Sequence, residues 1–252
     1  MSQSYFKSFD GVELAYHRTG EGRPVILLHG LFSSAKMNWI KWGHDLLLAE
    51  AGFEAIMLDF RVHGESPSPQ DPAAYPSDVL VRDAAALVAH LGLTHGEYDL
   101  VGFSLGARTA IHAVAKGMLA PRKLIACGMG IEGLSEWERR AAHFIRVIDE
   151  FDTIKPGDPA YVARTFLKSQ GVDRVAARLL LKALEPFDIA DLAKITMPAQ
   201  VICGVDDGDN GSGEELARFL PNASFAEVPG NHLNSVTFPD LGTAIATFLS
   251  QP

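Results

Sequence analysis

The chain has 252 residues, of which 47% are hydrophobic and 21% charged, a composition typical of globular domains that excludes a disordered or collagen-like chain. Its formal net charge of −9 at pH 7 is spread without long blocks of one sign, so the sequence lacks the basic patch that nucleic-acid binding requires. At roughly 150 residues per domain, the length allows one or two domains, and a single α/β domain that carries an insertion is the simpler interpretation.

The N-terminus and the cysteines bear on the cellular location. The first segment, MSQSYFKSFDGVELAY, has no apolar core and no small-residue cleavage site, so we expect no signal peptide. The apolar runs elsewhere are too short to span a bilayer. Cys127 and Cys203 lie in apolar, strand-like runs, which indicates buried thiols rather than a disulfide or a metal site. We therefore expect a cytoplasmic protein without a membrane span.

Strand-like and helix-like patterns alternate along most of the chain. Asp10-Gly11, between two runs rich in aromatic and alternating residues, predicts an opening β-hairpin. Six later apolar runs are typical of buried parallel strands: Pro24–Gly30, Glu54–Phe60, Tyr98–Ser104, Lys123–Gly128, Pro198–Gly204 and Ser224–Gly230. Five patterns are helical: Trp39–Ala51, Ser77–Leu91, Leu105–Lys116, Gly213–Leu220 and Leu241–Leu249. The alternation predicts a doubly wound α/β fold with a mostly parallel sheet.

Residues 130–186 interrupt this alternation, because they show helical periodicity but no strand-like run. We expect them to form a helical lid over the C-terminal edge of a core made of residues 1–129 and 187–252. Five apolar residues of the lid have the spacing that packing on the core requires, although the same spacing would suit a pocket wall: Trp137, Phe144, Ile145, Ile148 and Phe151. Three arginines are expected to form a solvated face rather than a clamp for an acidic substrate: Arg139, Arg140 and Arg146.

The segment GFSLG, residues 102–106, directly follows a predicted strand and begins a predicted helix. A serine at such a junction has a strained backbone, and its Oγ is exposed at the head of the helix, where the helix dipole favours negative charge. Gly102 and Gly106 allow the neighbouring elements to approach closely. This context predicts that Ser104 is a nucleophile. The alternative is a glycine-rich turn with an incidental serine.

A serine nucleophile needs a general base that is itself oriented by a carboxylate. His232 follows the last predicted strand, where a loop would place it at the C-terminal edge of the sheet. The strand before it is followed by three candidate carboxylates: Asp206, Asp207 and Asp209. The chain order serine, aspartate, histidine is that of α/β-hydrolases. The remaining eight histidines are expected to be surface or structural residues.

The first long predicted strand ends at His29-Gly30 and is followed by LFSS. A backbone N–H in this loop would supply half of an oxyanion hole, and the N–H of Leu105, next to Ser104, would supply the other half. We expect His29 to brace the loop by hydrogen bonds rather than to act as a base.

The sequence resembles the α/β-hydrolase superfamily over essentially the whole chain. The resemblance rests on matching segments in the family's order: HGLFSS at 29–34, DFRVHGES at 59–66, GFSLG at 102–106, and GVDD at 204–207 with GNH at 230–232. It implies that Ser104 is the nucleophile, Asp207 the acid and His232 the base. It also implies that the N–H groups of Leu31 and Leu105 form the oxyanion hole.

Asp207 stands three residues beyond Gly204 and so has the G-x-x-D spacing of the family, whereas Asp206 would face differently. Val62 replaces the glycine that the family usually has in the turn of residues 59–66, which restricts the backbone there without changing a catalytic position.

The identity of the nucleophile limits the classes of reaction that the protein could catalyse. Epoxide hydrolases and haloalkane dehalogenases resemble this chain but use aspartate at the position of Ser104. Esters, lactones, thioesters and C–C bonds beside a ketone remain. We expect a carboxylesterase that acts on a small-molecule acyl substrate, with a C–C bond hydrolase or lactonase as the alternative and a non-catalytic ligand receptor as a third hypothesis. The sequence has no metal-ligand cluster or phosphate-binding loop, so we expect no cofactor and no metal. It indicates no particular oligomeric state.

Overall fold

The computed structural model describes residues 1–252 and contains one eight-stranded sheet, in the order β1-β2-β4-β3-β5-β6-β7-β8. The strands are β1 (Ser2–Lys7), β2 (Glu13–Thr19), β3 (Arg23–Leu28), β4 (Phe53–Leu58), β5 (Asp99–Phe103), β6 (Leu124–Cys127), β7 (Ala199–Gly204) and β8 (Ala223–Val228). β1 and β2 form the predicted hairpin, β2 pairs antiparallel with β4, and every other pair is parallel. The predicted doubly wound, mostly parallel fold is confirmed.

Nine α-helices accompany the sheet: α1 (His44–Glu50), α2 (Val79–His90), α3 (Leu105–Ala115), α4 (Ile131–Ser135), α5 (Trp137–Asp149), α6 (Tyr161–Ser169), α7 (Arg174–Ala183), α8 (Gly213–Phe219) and α9 (Pro239–Ser250). The predicted helix Trp39–Ala51 is wrong in its first part. A π-helical turn spans Lys36–Ile40, and Gly43, with φ of 77°, separates it from α1. None of these helices combines the length and the apolar character needed to cross a membrane.

The central strands are buried on both faces. Ile26 and Leu28 belong to a hydrophobic cluster that packs against α2, α3 and α8. Val25 and Leu27 belong to a second cluster, which packs against α1 and α9. Because successive side chains of a strand point to opposite faces, both sets must be apolar, and this explains the continuous apolar runs in the sequence.

Residues 130–186 connect β6 to β7 and contain α4 to α7 without a strand. The apolar faces of their helices reach the larger cluster, for example through Val147 and Leu180. Their outer faces are joined by exposed ion pairs, such as the 2.8 Å contact between Arg178 of α7 and Asp149 of α5. We call residues 130–186 the inserted segment.

The two cysteines are buried and form no disulfide, as expected. Burial raises the pKa of both thiols, and it raises the pKa of Cys203 to about 12. Since the thiolate is the reactive form, neither cysteine is a candidate nucleophile.

Candidate active site

Ser104 lies between β5 and α3 with φ of 53° and ψ of −112°, a conformation that non-glycine residues rarely adopt. The flanking glycines explain how the chain makes this turn. A Cβ at Gly102 would lie 2.3 Å from the backbone of Gly106, and one at Gly106 would lie 2.1 Å from the carbonyl oxygen of Leu28. Both positions therefore require glycine for α3 to pack against β3 and β5.

A continuous hydrogen-bond chain joins Ser104, His232 and Asp207. The Ser104 Oγ lies 3.0 Å from Nε2 of His232, and Nδ1 of His232 lies 3.0 Å from Oδ2 and 3.2 Å from Oδ1 of Asp207. An ionised carboxylate can only accept, so Nδ1 donates to Asp207, which leaves Nε2 to accept from the serine hydroxyl. This arrangement can take a proton from Ser104 and stabilise the imidazolium that results.

The two other candidate carboxylates take no part in the hydrogen-bond chain of Ser104, His232 and Asp207. The side chains of Asp206 and Asp209 are exposed, and neither hydrogen bonds to His232. The side chain of Asp207 is only 2% exposed, and its Oδ1 also accepts the N–H of Asp209 at 3.2 Å. Of the three, Asp207 alone is positioned to orient the imidazole.

The backbone N–H groups of Leu31 and Leu105 belong to residues that line the same cavity as Ser104. The N–H of Leu31 donates to no atom of the protein. Leu105 is the first residue of α3, so no preceding helical turn offers a carbonyl to its N–H. Two free N–H groups are what an oxyanion hole requires, and Leu31 and Leu105 line the same cavity as Ser104.

His29, which is fully buried, stabilises the loop after β3 by hydrogen bonds. Its Nδ1 donates to the carbonyl of Gly30 at 2.8 Å, and its Nε2 accepts the N–H of Phe60 at 3.0 Å. Burial lowers the pKa of His29, so the ring stays neutral. The expected structural role of His29 is confirmed.

The turn at residues 59–66 is organised around Asp59. Its carboxylate accepts from Nε2 of His17 at 3.1 Å, from the N–H of Ala35 at 2.7 Å and from the N–H of Glu65 at 3.0 Å. These bonds tie the turn to the loop that carries Leu31. Val62, which replaces the family's glycine in this turn, has φ of 78°, a left-handed conformation that is strained for a β-branched side chain.

A cavity of about 520 Å³ opens above Ser104, and the inserted segment forms much of its wall. The expectation that Trp137 and Phe144 merely pack on the core is wrong, because both line the cavity, whereas Ile145, Ile148 and Phe151 do not. The expected solvated face is confirmed for Arg139 and Arg146, which are exposed and form ion pairs, although Arg139 also borders the cavity. It is wrong for Arg140, which is half-buried and lines the cavity.

Arg108 also lines the cavity, and the sequence analysis did not single it out. It stands four residues after Ser104 on α3, and residues with this spacing share a helix face, which was the one available signal. Its guanidinium lies over the ring of Trp137, 4.2 Å from the centroid, and donates to the carbonyl of Glu185. Burial lowers the pKa of Arg108 to about 9, so the side chain remains cationic at neutral pH.

Comparison with known proteins bears on the family. Residues 23–170 match the model of a family described as the alpha/beta hydrolase fold. The chain is 35% identical over 127 residues to an N-formylmaleamate deformylase of Pseudomonas putida, covering 50% of this chain and 45% of that protein. It is 31% identical over 99 residues to a bifunctional epoxide hydrolase 2 of Sus scrofa, covering 39% of this chain and 17% of that protein. The matches thus span less than half the length of these curated relatives.

Among solved structures, a thermophilic esterase from Thermogutta terrifontis, described as malate bound, is similar over its full length. The two chains are 26% identical with a TM-score of 0.73, and the match covers 99% of this chain and 98% of the esterase.

Proposed function

The chain belongs to the alpha/beta hydrolase fold family, and we propose that within it the protein is a serine hydrolase that cleaves carboxylic esters through an acyl-enzyme. The observation that carries the proposal is the hydrogen-bond chain from Ser104 through His232 to Asp207, in which the serine and the histidine line the cavity. No further group is needed for ester cleavage, because a base-activated serine and two N–H donors suffice.

In the first half-reaction, the Ser104 Oγ attacks the ester carbonyl carbon while Nε2 of His232 accepts the hydroxyl proton. The carbonyl oxygen becomes an oxyanion, which the N–H groups of Leu31 and Leu105 stabilise. The C–O bond to the alcohol then breaks, and His232 returns the proton to the leaving oxygen. The Asp207 carboxylate stabilises the imidazolium and holds the ring in the tautomer that the reaction needs.

In the second half-reaction, water takes the place of the alcohol. Nε2 of His232 removes a proton from the water as its oxygen attacks the acyl carbon, and the same two N–H groups bind the second oxyanion. The acyl bond to Ser104 then breaks and His232 returns its proton to the Ser104 Oγ, which releases the carboxylic acid and restores the hydroxyl. The enzyme therefore ends the cycle unchanged, with one water consumed for each ester.

The inserted segment has a place in this proposal. We assign residues 130–186 as a cap over a core of residues 1–129 and 187–252, because this segment contributes Trp137, Phe144 and Phe166 to the cavity wall. The cap bounds the space for the acyl and alcohol groups, while the core supplies every group that reacts.

The test is covalent labelling combined with a substrate panel. A fluorophosphonate should label wild-type protein once, on Ser104, and Ser104→Ala should lose at least about three orders of magnitude in kcat with an unchanged melting temperature. Ser135→Ala, at an exposed serine of α4, is the matched control and should label and turn over normally.

The panel compares p-nitrophenyl esters of increasing acyl length with lactones and vinylogous diketones. Preferred turnover of the simple esters supports ester hydrolysis, and preferred turnover of a lactone or diketone replaces it with the corresponding reaction. Binding of esters without burst or turnover, or stoichiometric labelling of Ser104→Ala, would overturn the proposal.

A further inference from the structure

We propose that Arg108 binds a carboxylate of the substrate, so that the cavity selects anionic esters over neutral ones of the same size. This inference rests on the proposed function, since it names the substrate class of the same cavity. It follows from three observations: the free donor on Arg108, its uncompensated charge, and its position on α3.

The guanidinium of Arg108 is held in place with a donor to spare. The residue is only 3% exposed, and its Nη2 donates to the carbonyl of Glu185. The ring of Trp137 beneath it is fixed in turn, because its indole N–H donates to the carbonyl of Leu184 at 3.1 Å. Nε and Nη1 donate to no atom of the protein, and of these two only Nε is completely buried. Since Arg108 lines the cavity, Nη1 is the donor that a substrate can reach.

The charge of Arg108 has no counterion within the protein. It forms no salt bridge, and burial alone accounts for the lowered pKa. A buried cation without a partner is costly, and an anion that fills the cavity removes much of that cost. A carboxylate also matches a guanidinium donor better than a neutral group does, because charge-assisted hydrogen bonds are roughly twice as strong as neutral ones.

The other basic groups of the cavity are compensated. Arg139 is exposed and forms a salt bridge with a neighbouring glutamate. Arg140 lies near the carboxylates of Asp209 and Asp207, which favour its charged form, and it donates to the Asp209 carbonyl. Burial and the neighbouring arginines lower the pKa of His143, so that imidazole is neutral at neutral pH. The uncompensated cation of the cavity is therefore Arg108.

The position of Arg108 limits where the carboxylate lies in the substrate. One helical turn separates it from Ser104, and at about 1.5 Å of rise per residue this amounts to about 6 Å along α3. A carboxylate several bonds from the scissile carbonyl fits such a separation. Succinyl, glutaryl and adipyl groups span the relevant range, and the ring of Trp137 offers their methylene groups an apolar surface.

Direct binding tests this inference without relying on catalysis. Calorimetry on Ser104→Ala protein should detect binding of succinate, glutarate or adipate and no binding of the neutral diamide glutaramide. Adding Arg108→Gln should weaken the binding of the best diacid at least about thirtyfold, and Arg108→Lys should restore part of it. Arg140→Gln should weaken it less than Arg108→Gln, and Arg178→Gln, outside the cavity, should leave it unchanged.

Catalysis gives the second readout. Wild-type protein should cleave the p-nitrophenyl monoester of the best diacid at least about tenfold better in kcat/KM than the neutral ester of equal chain length, and Arg108→Gln should abolish that preference. The comparison in wild type needs no variant, so a misfolded Arg108→Gln does not affect it.

The outcomes separate the two proposals. Binding of a diacid that depends on Arg108, with no ester turnover, supports the carboxylate site and refutes the esterase. Ester turnover with equal binding of diacid and diamide, or with full diacid binding by Arg108→Gln, refutes the carboxylate site and leaves the esterase standing.

Discussion

The core and the inserted segment hold their functional side chains by different means. In the core, Ser104 is fixed by a strained backbone between two obligatory glycines, and Asp207 is buried with its partners in place. In the inserted segment, amphipathic helices pack on the core, and an exposed ion pair between Arg178 of α7 and Asp149 of α5 joins two of them. Surface ion pairs contribute little to stability, so the segment depends on its apolar face.

In the proposed function, the core and the inserted segment have different tasks. The reacting groups lie on loops at the edge of a rigid sheet, where an error of about 1 Å in position costs about a hundredfold in rate. In that proposal the cap residues bound the space for the substrate, and this task tolerates looser positioning. Arg108 lies between these two cases: it belongs to a core helix, yet Trp137 and Glu185 of the inserted segment hold its side chain.

The largest effect that we expect is on kcat, and it comes from substituting Asp207 of the core. Asp207→Asn should lower kcat by roughly four orders of magnitude, because the amide cannot hold His232 in the required tautomer. Steady-state kinetics with a p-nitrophenyl ester measures it. Asp206→Asn and Asp209→Asn, the matched controls on the same loop, should each cost less than about tenfold. A crippled Asp206→Asn beside an active Asp207→Asn would identify Asp206 as the acid.

A buried ion pair of the core provides the next largest effect, on stability. Arg61 donates to both oxygens of Asp83 at 2.6 Å, and neither side chain is exposed. Asp83→Asn leaves the guanidinium without its main counterion, so the free energy of unfolding should fall by about 3 to 5 kcal/mol. Urea denaturation measures this loss. An unchanged midpoint would contradict the claim that the pair of Arg61 and Asp83 is needed for the stability of the core.

Much of the sheet edge could be predicted from sequence because its signals are local. The runs before GFSLG and GVDD are buried on both faces and therefore continuously apolar, and the turn residues that follow them have few conformational alternatives. The order of the motifs then indicates which side chains meet. The break at Gly43 was missed, because the apolar spacing continues across it.

The cavity wall could not be predicted in the same way. Helical spacing is identical for a residue that packs on the core and for one that faces a cavity, so Trp137 and Phe144 could not be told from Ile148. Arg108 was missed for a related reason. Its significance is the lack of a counterion, and that depends on which carboxylates the whole fold brings near it.

Buried histidines of the core should make the free energy of unfolding depend on pH, by an amount smaller than the effect of Asp83→Asn. Burial lowers the pKa of His63 and of His112 in the core to about 3, from 6.5 for an exposed histidine. The unfolded chain therefore binds protons first, and the stability that each neutral ring contributes is present above pH 6.5 and lost as the pH falls toward 3.

The variant His112→Leu checks this sign. Neither ring nitrogen of His112 has a hydrogen-bond partner, so the substitution removes a titrating group without breaking a bond. Between about pH 7 and about pH 5, the variant should lose about 2 kcal/mol less of its free energy of unfolding than the wild type does. Equal losses in urea titrations at the two pH values would show that His112 does not contribute.

The smallest effect is expected at the surface of the inserted segment. Arg178→Gln removes the exposed pair with Asp149 that joins α7 to α5. Because solvent screens this pair and both side chains remain hydrated, the urea midpoint should stay within experimental error of the wild-type value. A clear loss of stability would show that ion pairs, rather than the apolar face, hold the segment on the core.

The most direct measurement is the site of covalent modification during turnover. A p-nitrophenyl carbamate leaves a carbamyl group that hydrolyses slowly, and trypsin should release residues 83–108, which contain Ser104, as one peptide. Mass spectrometry of the quenched reaction should find the carbamyl group on Ser104 in the wild type and little of it in His232→Ala. Release of p-nitrophenol with the carbamyl group on another residue, or with equal modification in His232→Ala, would contradict the proposal that His232 activates Ser104 as the nucleophile.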